Sequence, residues 1–504
     1  MKNRLSLKTL LLLFTVTVAV LLSSCAKPAK GTASSSAPEA SSIEVSIEAS
    51  SEAEATSEPE VASVAGSKAP AASSKAAAVS RAAVSTSGPT VGVPSFKTTQ
   101  AIHDIGMCVT DVLYDRDTAD IVKKRCNLYK DYGLRTIRIA TLWGAVEPRE
   151  GVFNNPPEER YLKWYTENGL RLKIILGTTS VIPSWYFSRY PDCYMVNDEG
   201  KKALGTITYL LPGLRGKIDT AVDRMVKYYV DNGLIGSVDS MVIDMGTSGE
   251  GLYPPAWTQV PGGLLNPPVN AEKFWCYDPY MQADFKKVMQ AKYKTIDAAN
   301  KAWGKAYASF DALEVPKPGT VTGTMWNDVL TWYRQVKRDF MEENVKSYKK
   351  AVDKYTNGRV KLIIYIPGRE IRDNEWQDAV NTGIGNDSIK LMADSRFIID
   401  LAGKYGCYLQ YTGAENVTEI NFLVKYMYEK NLQNIPLFGE NSGSYNVGKN
   451  MKRYVENLKQ YGLAGIDITH SQWIHDTDHF SPTASHQSIK DNLQLLSAYL
   501  KTGL

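Results

Sequence analysis

The chain has 504 residues, 43% of them hydrophobic and 22% charged. That is enough apolar material for one large domain or two to three average ones, and it excludes a mini-protein, a collagen-like chain and a wholly disordered one. Lys and Arg number 58 against 54 Asp and Glu, and a net charge of only +4 leaves no electrostatic footprint for nucleic acid. Tyr and Trp are abundant, at 29 and 10, while His numbers only 5. Exposed aromatics of this kind suit hydroxyl-rich ligands, although core packing accounts for most of them.

Lys2, Arg4 and Lys8 precede an apolar run over residues 10–22, too short to span a bilayer comfortably. Leu22-Ser23-Ser24-Cys25 then sets small residues before a single Cys, which resembles a bacterial lipobox. The resemblance implies removal of residues 1–24 as a signal peptide and lipid attachment at Cys25. The protein is then expected on the extracytoplasmic face of the cell membrane. A plain secretory signal with a chance Cys is the alternative. Residues 25–95 are rich in Ala, Ser, Glu and Pro and carry almost no large apolar side chains. Such a segment cannot bury enough apolar area to offset its ordering entropy. It reads as a disordered tether between the anchor and a folded domain at 96–504. Cys108, Cys126, Cys193, Cys276 and Cys407 follow. An odd count leaves at least one thiol without an intrachain partner, and the absence of metal-ligand spacing argues against structural zinc.

From about residue 100, short apolar or β-branched runs alternate with amphipathic stretches. Strands are predicted at 103–109, 136–141, 172–177, 241–245, 360–366, 407–412, 435–439 and 465–469. Helices are predicted at 118–132, 218–232, 326–355, 387–405, 417–430, 449–461 and 488–500. Eight βα units predict an α/β fold, the (β/α)8 TIM barrel, with a long insertion at 251–318 after the fourth strand. A doubly wound open sheet is the alternative. No GxGxxG or GxxxxGK[ST] loop opens any helix, and no cofactor is expected.

Glu250, Glu415 and Glu440 each follow a predicted strand with Gly nearby. In a barrel such residues reach the mouth where sites are built. Glycoside hydrolysis requires two carboxyl groups about the scissile bond, one protonated and one ionised. For a single Glu a solvated loop or a salt bridge is the better reading; three at strand ends with Gly nearby favour the catalytic one. Ser/His/Asp catalysis is poorly supported, because no GxSxG elbow occurs.

These residues also carry a family resemblance. Gly246-Thr247-Ser248-Gly249-Glu250-Gly251-Leu252-Tyr253-Pro254 resembles the GPAGELRYP segment of glycoside hydrolase family 14, the β-amylase family, whose Glu is the general acid. Residues 274–285, FWCYDPYMQADF, are similar to its FQCYDKYLQADF. Leu409-Gln410-Tyr411-Thr412-Gly413-Ala414-Glu415 resembles LNFTCLE, whose Glu is the general base, and Phe438-Gly439-Glu440-Asn441 resembles AGEN. The resemblance implies an inverting hydrolase of oligo- or polysaccharides, with Glu250 and Glu415 catalytic and Glu440 with Asn441 orienting the sugar or tuning a neighbouring carboxyl. Other stretches look like glycoside hydrolase family 42 and clan A. Arg138, Trp143, Glu147, Pro148 and Gly151 fit their R-x-x-x-x-W-x-x-x-E-P-x-x-G signature. That likeness implies the alternative of a retaining β-galactosidase-like enzyme using Glu250 and Glu440, although Gly249 stands where an Asn normally precedes the acid. The family 14 sugar shell is largely replaced: Ala140 stands for an Asp, the third-strand loop is short, and GIHWWYK becomes Gly368-Arg369-Glu370-Ile371. Two further alternatives are a non-catalytic sugar-binding surface lipoprotein and a two-lobed solute-binding lipoprotein.

Trp143, Trp185 and Tyr253 follow strands and offer faces for a sugar, and Glu147 belongs to the same signature. Arg369, Glu370 and Thr382 are candidates for binding hydroxyls. His475-Asp476-Thr477-Asp478-His479 lacks metal-ligand spacing and reads as a polar loop at the site entrance rather than a metal site.

Overall fold

The computed structural model describes residues 96–502, except 115, 180, 247–248, 255–272, 414–415, 441–446, 470, 472–473 and 475–485. Signal, anchor, tether and most of the His-rich loop therefore lie outside the described residues.

Eight parallel strands close into a barrel in chain order. They are β1 (Met107–Thr110), β2 (Thr136–Leu142), β3 (Arg171–Gly177), β4 (Val238–Ile243), β5 (Lys361–Ile366), β6 (Tyr408–Tyr411), β7 (Leu437–Glu440) and β8 (Ile466–Thr469). Closure comes from β1 pairing with β8 at Met107↔Ile466 and with β2 at Cys108↔Thr136. A closed barrel replaces both the open sheet and the two-lobed alternative.

The strand sequences are apolar because both faces are covered, yet the faces differ. Ile137, Ile139, Leu172, Ile174, Leu176, Met241 and Ile243 join the large cluster beneath the outer helices. The alternate positions point inward. Val242, Ile363, Tyr365 and Phe438 form a separate interior cluster with Ile102 and Ile105. Those two isoleucines belong to the helix Gln100–Ile105, capped by Thr99, which runs into β1 and plugs the end where strands begin. The expected strand at 103–109 thus starts only at Met107. Its first residues belong to this plug, because a short apolar run does not distinguish a strand from a buried helix.

The segment after β4 is more than a loop. It holds the helices Pro279–Tyr293 and Ile296–Trp303. Asp278 starts the first by accepting from the backbone N–H of Tyr280 and Met281, both at 3.1 Å, with Pro279 in the opening turn. Phe274, Trp275 and Cys276 pack with Trp326 and Tyr333 of the long helix Gly323–Thr356 in a second core. The helix expected over 387–405 is two, Asp387–Leu391 and Ser395–Tyr405. Met392 between them takes a left-handed φ of 50°. All five described cysteines are buried and unpaired. Among the described residues no helix is long and apolar enough to cross a membrane.

Closure brings two backbones into contact. A Cβ on Gly465 would lie 2.2 Å from the Cα and the carbonyl oxygen of Gly106, and φ there is +146°. The Gly465→Ala variant is expected to lose about 2–4 kcal/mol of stability in thermal unfolding. Gly216→Ala, in open space on a helix, should stay level or gain about 0.5–1 kcal/mol.

Candidate active site

Inward positions of five strands carry polar or charged groups instead of carbon. β2 supplies Arg138, β3 Lys173, β6 Gln410, β7 Glu440 and β8 Asp467, all buried. Arg138 donates from Nη1 to Glu440 Oε2 at 2.7 Å and from Nη2 to Glu440 Oε1 at 3.3 Å. It also reaches Thr469 Oγ1 at 2.6 Å, the Tyr365 hydroxyl at 3.0 Å and Asp467 Oδ2 at 3.2 Å. Gln410 Nε2 donates to Glu440 Oε2 at 2.5 Å, and Thr469 Oγ1 to Glu440 Oε1 at 2.9 Å. Lys173 pairs with Asp467 at 3.0 Å and donates to Gln410. Burial works against the charges of Arg138, Lys173 and Asp467. The carboxyl of Asp467 nevertheless stays below the usual range, because Arg138 and Lys173 outweigh that burial.

Two cations therefore face two carboxylates, and Glu250 is a third carboxyl at their edge. Burial pushes it up to about 7, and Glu440 pushes the same way. A hydrogen bond from Thr412 and the charges of Arg138 and Arg369 act against the shift without cancelling it. The result is a carboxyl that holds its proton up to about 7, beside a Glu440 bound by Arg138. This is the division of labour that acid-assisted bond cleavage requires.

Glu250 sits on a turn after β4 that is seated against helices. A Cβ on Gly251 would meet Met341 Sδ at 3.0 Å and Ile398 Cδ1 at 3.1 Å, and φ is +65°. A side chain there would displace the turn.

The other expected site residues divide. Arg369 is half-buried and acts on the Glu250 charge. Glu370 beside it is tied down, accepting from Ser395 N at 2.7 Å and Arg396 Nε at 3.0 Å. Trp143 is fully buried and donates from its indole to Glu147. Glu147 also accepts from Gly151 N at 2.6 Å, and its carbonyl accepts from Trp185 at 3.0 Å. Trp143 and Glu147 are thus occupied in building the loop after β2, with Trp185 packed edge-on against Trp143. Tyr253 is fully buried, stacked on Tyr333 at 4.1 Å and Tyr209 at 5.4 Å, with no face left for a sugar. Thr382 is exposed at the end of the helix Asp373–Thr382 and donates to Asp378 O of that helix. Glu415 and Asn441 lie outside the described residues.

Lys173, Gln410, Asp467, Thr412 and Thr469 were not expected in the site. Their signal is a polar residue at an inward, period-two position of an otherwise apolar strand, as in RLKIILG of β3 or IDIT of β8.

An acid kept protonated costs stability once the unfolded chain ionises. Folded and unfolded Glu250 are both protonated below about 4.5; above that only the unfolded form ionises, until the folded group follows near 7. Stability conferred by this group is therefore full below 4.5 and lost as pH rises toward 7. Glu250→Gln is expected to match the wild type in urea unfolding below pH 4.5. At pH 8 it should be more stable by about 1–3 kcal/mol.

Known proteins resemble this chain in sequence and fold. Residues 117–362 match the model for Glycosyl hydrolase family 14. A β-galactosidase of Thermus sp is 25% identical over 237 residues, which cover 45% of this chain and 32% of that protein. The chain thus spans about a third of the length of this relative. A β-amylase of Cytobacillus firmus is 26% identical over 276 residues, covering 49% of this chain and 56% of that one. The catalytic domain of a β-amylase from Paenibacillus polymyxa has the same fold, with a TM-score of 0.63 at 20% identity, over 76% of this chain and 96% of that one. Over residues 117–362, just under half of its length, the chain is thus similar to Glycosyl hydrolase family 14.

Proposed function

We propose that this protein hydrolyses O-glycosidic bonds of oligo- or polysaccharides, with Glu250 giving its proton to the leaving oxygen. The observation that carries the reading is the Glu250 carboxyl, held up to about 7 at the barrel mouth beside the arginine-bound Glu440. Protonation of the leaving group is the step for which a neutral carboxylic acid is suited. On the β-amylase likeness Glu415 activates the attacking water, the anomeric configuration inverts, and Glu440 and Asn441 hold the sugar.

One observation favours a second reading. Glu250 feels the charge of Glu440 as its strongest electrostatic neighbour. In a retaining enzyme the two carboxyl groups stand about 5–5.5 Å apart, against roughly 6.5–9.5 Å in an inverting one. Glu440 would then be the nucleophile, as in a β-galactosidase-like mechanism. The altered sugar shell leaves the glycan open under either reading. The basic n-region, the apolar run and Leu22-Ser23-Ser24-Cys25 support a lipid anchor at Cys25 and an extracytoplasmic location.

The test is hydrolysis of maltopentaose and of lactose followed by proton NMR, which reads the anomer first released. Glu250→Gln should lower kcat about 10²–10⁴-fold on the substrate turned over. The wild-type kcat/KM should fall as pH rises through about 7, where Glu250 loses its proton. An inverted product with inactive Glu415→Gln supports the first assignment; a retained product with inactive Glu440→Gln supports the second. Wild-type turnover by Glu250→Gln ends both.

A further inference from the structure

The long helix Gly323–Thr356 carries a fully buried lysine, Lys337, one helical turn before Met341. Its ammonium pairs with no carboxylate among the described residues. It donates to two backbone carbonyls instead, Leu391 O at 3.0 Å and Met392 O. These carbonyls belong to the left-handed break between the helices Asp387–Leu391 and Ser395–Tyr405. Leu391 O also accepts the backbone N–H of Tyr253 at 3.0 Å, and the Tyr253 ring lies 5.6 Å from the Lys337 ammonium. Tyr253 is three residues from Glu250, and the Gly251 between them rests on Met341 and Ile398. One carbonyl thus joins the long helix to the turn that carries the acid.

The same break holds the loop after β5. Ile371 N donates to Ala393 O at 3.0 Å, and Ser395 Oγ to Arg369 O at 3.2 Å. Asp394 fixes the break to the long helix through Arg334 Nε at 2.7 Å and Arg338 Nε at 2.6 Å. Residues 391–395 therefore bridge the turn bearing Glu250 and the loop bearing Arg369. A buried amine bound only to carbonyls is a costly arrangement, and hydrophobic packing would serve simple stability better.

We propose that Lys337 is a positioning residue for the general acid, pinning the 391–395 bridge so that the Glu250 turn stays seated and shielded from water beside Glu440. This deepens the reading of Glu250 as the acid and rests on it. Burial draws the Lys337 amine down to about 7, with Asp394 and Glu370 opposing and Arg334 assisting. A neutral amine still donates both hydrogen bonds, so the seat survives its titration.

Lys337→Met keeps the length of the side chain and removes both donors. The Glu250 carboxyl, faced by Glu440, Arg138, Arg369 and Thr412, is read without substrate by an infrared pH titration against Glu250→Gln. In the wild type its protonated band should vanish near pH 7. In Lys337→Met, water reaching the loosened turn should move that midpoint down by about one pH unit. On whichever of maltopentaose and lactose is cleaved, kcat should fall about tenfold or more with KM changed less than threefold. Lys337→Gln, which retains a donor, should recover part of both effects and provides the reading if Lys337→Met does not fold. An unmoved midpoint in folded Lys337→Met, or in Lys337→Gln and the wild type alike when Met fails to fold, overturns the proposal even if thermal stability drops. A wild-type carboxyl that titrates near 4.5 instead overturns the assignment of Glu250 as the acid, a distinct failure.

Discussion

The barrel is organised around a charge balance that water does not screen. Arg138 and Lys173 face Glu440 and Asp467 inside a ring of strands, all four buried. Removing one member of such a set would strand its partner, at a cost of about 3–5 kcal/mol. The set is therefore locked in place by its own desolvation. It also determines what happens to a fifth ionisable group. Glu250 stands at the edge of this matched set, where burial first and the Glu440 charge second push its carboxyl up to about 7 against Arg138 and Arg369.

The scaffold supports that balance from three sides. The Gln100–Ile105 helix closes one end with the apolar side chains of Ile102 and Ile105. The Trp143–Glu147–Gly151 contacts brace the loop that continues from the strand holding Arg138. The second core, built on the long helix, carries the segment after β4 and the turn with Glu250. Several sequence signatures shared with glycoside hydrolases are in this sense structural. Asp278-Pro279 in CYDPY begins a helix, and Tyr253 at the end of the Glu250 motif is a stacking element.

This explains what the sequence made legible. Barrel topology could be read because strands covered on both faces leave continuous apolar runs, and the helices between them keep a 3.6-residue period. Glu250 and Glu440 could be read because each stands beside Gly after such a run. Lys173, Gln410 and Asp467 were hidden because each is one polar residue within an apolar strand, and its partners come from strands far away in sequence. The break at Met392 was hidden for a related reason. Its left-handed backbone is held by Lys337 and by Asp394 with its two arginines, contacts that no local pattern around 387–405 contains. Trp143 and Tyr253 were misjudged in the opposite direction. Their position after strands suggested ligand stacking, and only three-dimensional packing shows that their surfaces are already taken.

That last point bears on specificity. A sugar bound at this mouth finds the aromatic surfaces of Trp143 and Tyr253 engaged elsewhere. Arg369, Thr412 and Thr469, polar groups at the strand ends, surround the carboxyl cluster instead. Recognition by buried hydrogen-bonding groups rejects a ligand lacking the matching hydroxyl far more strongly than an apolar platform does, because unmatched partners stay desolvated and unpaired. On the glycosidase reading, these described groups select by the positions of hydroxyl groups. If Glu250 acts as the acid, exchanging the surrounding sugar-binding groups would change which hydroxyls are matched without altering the proton transfer itself.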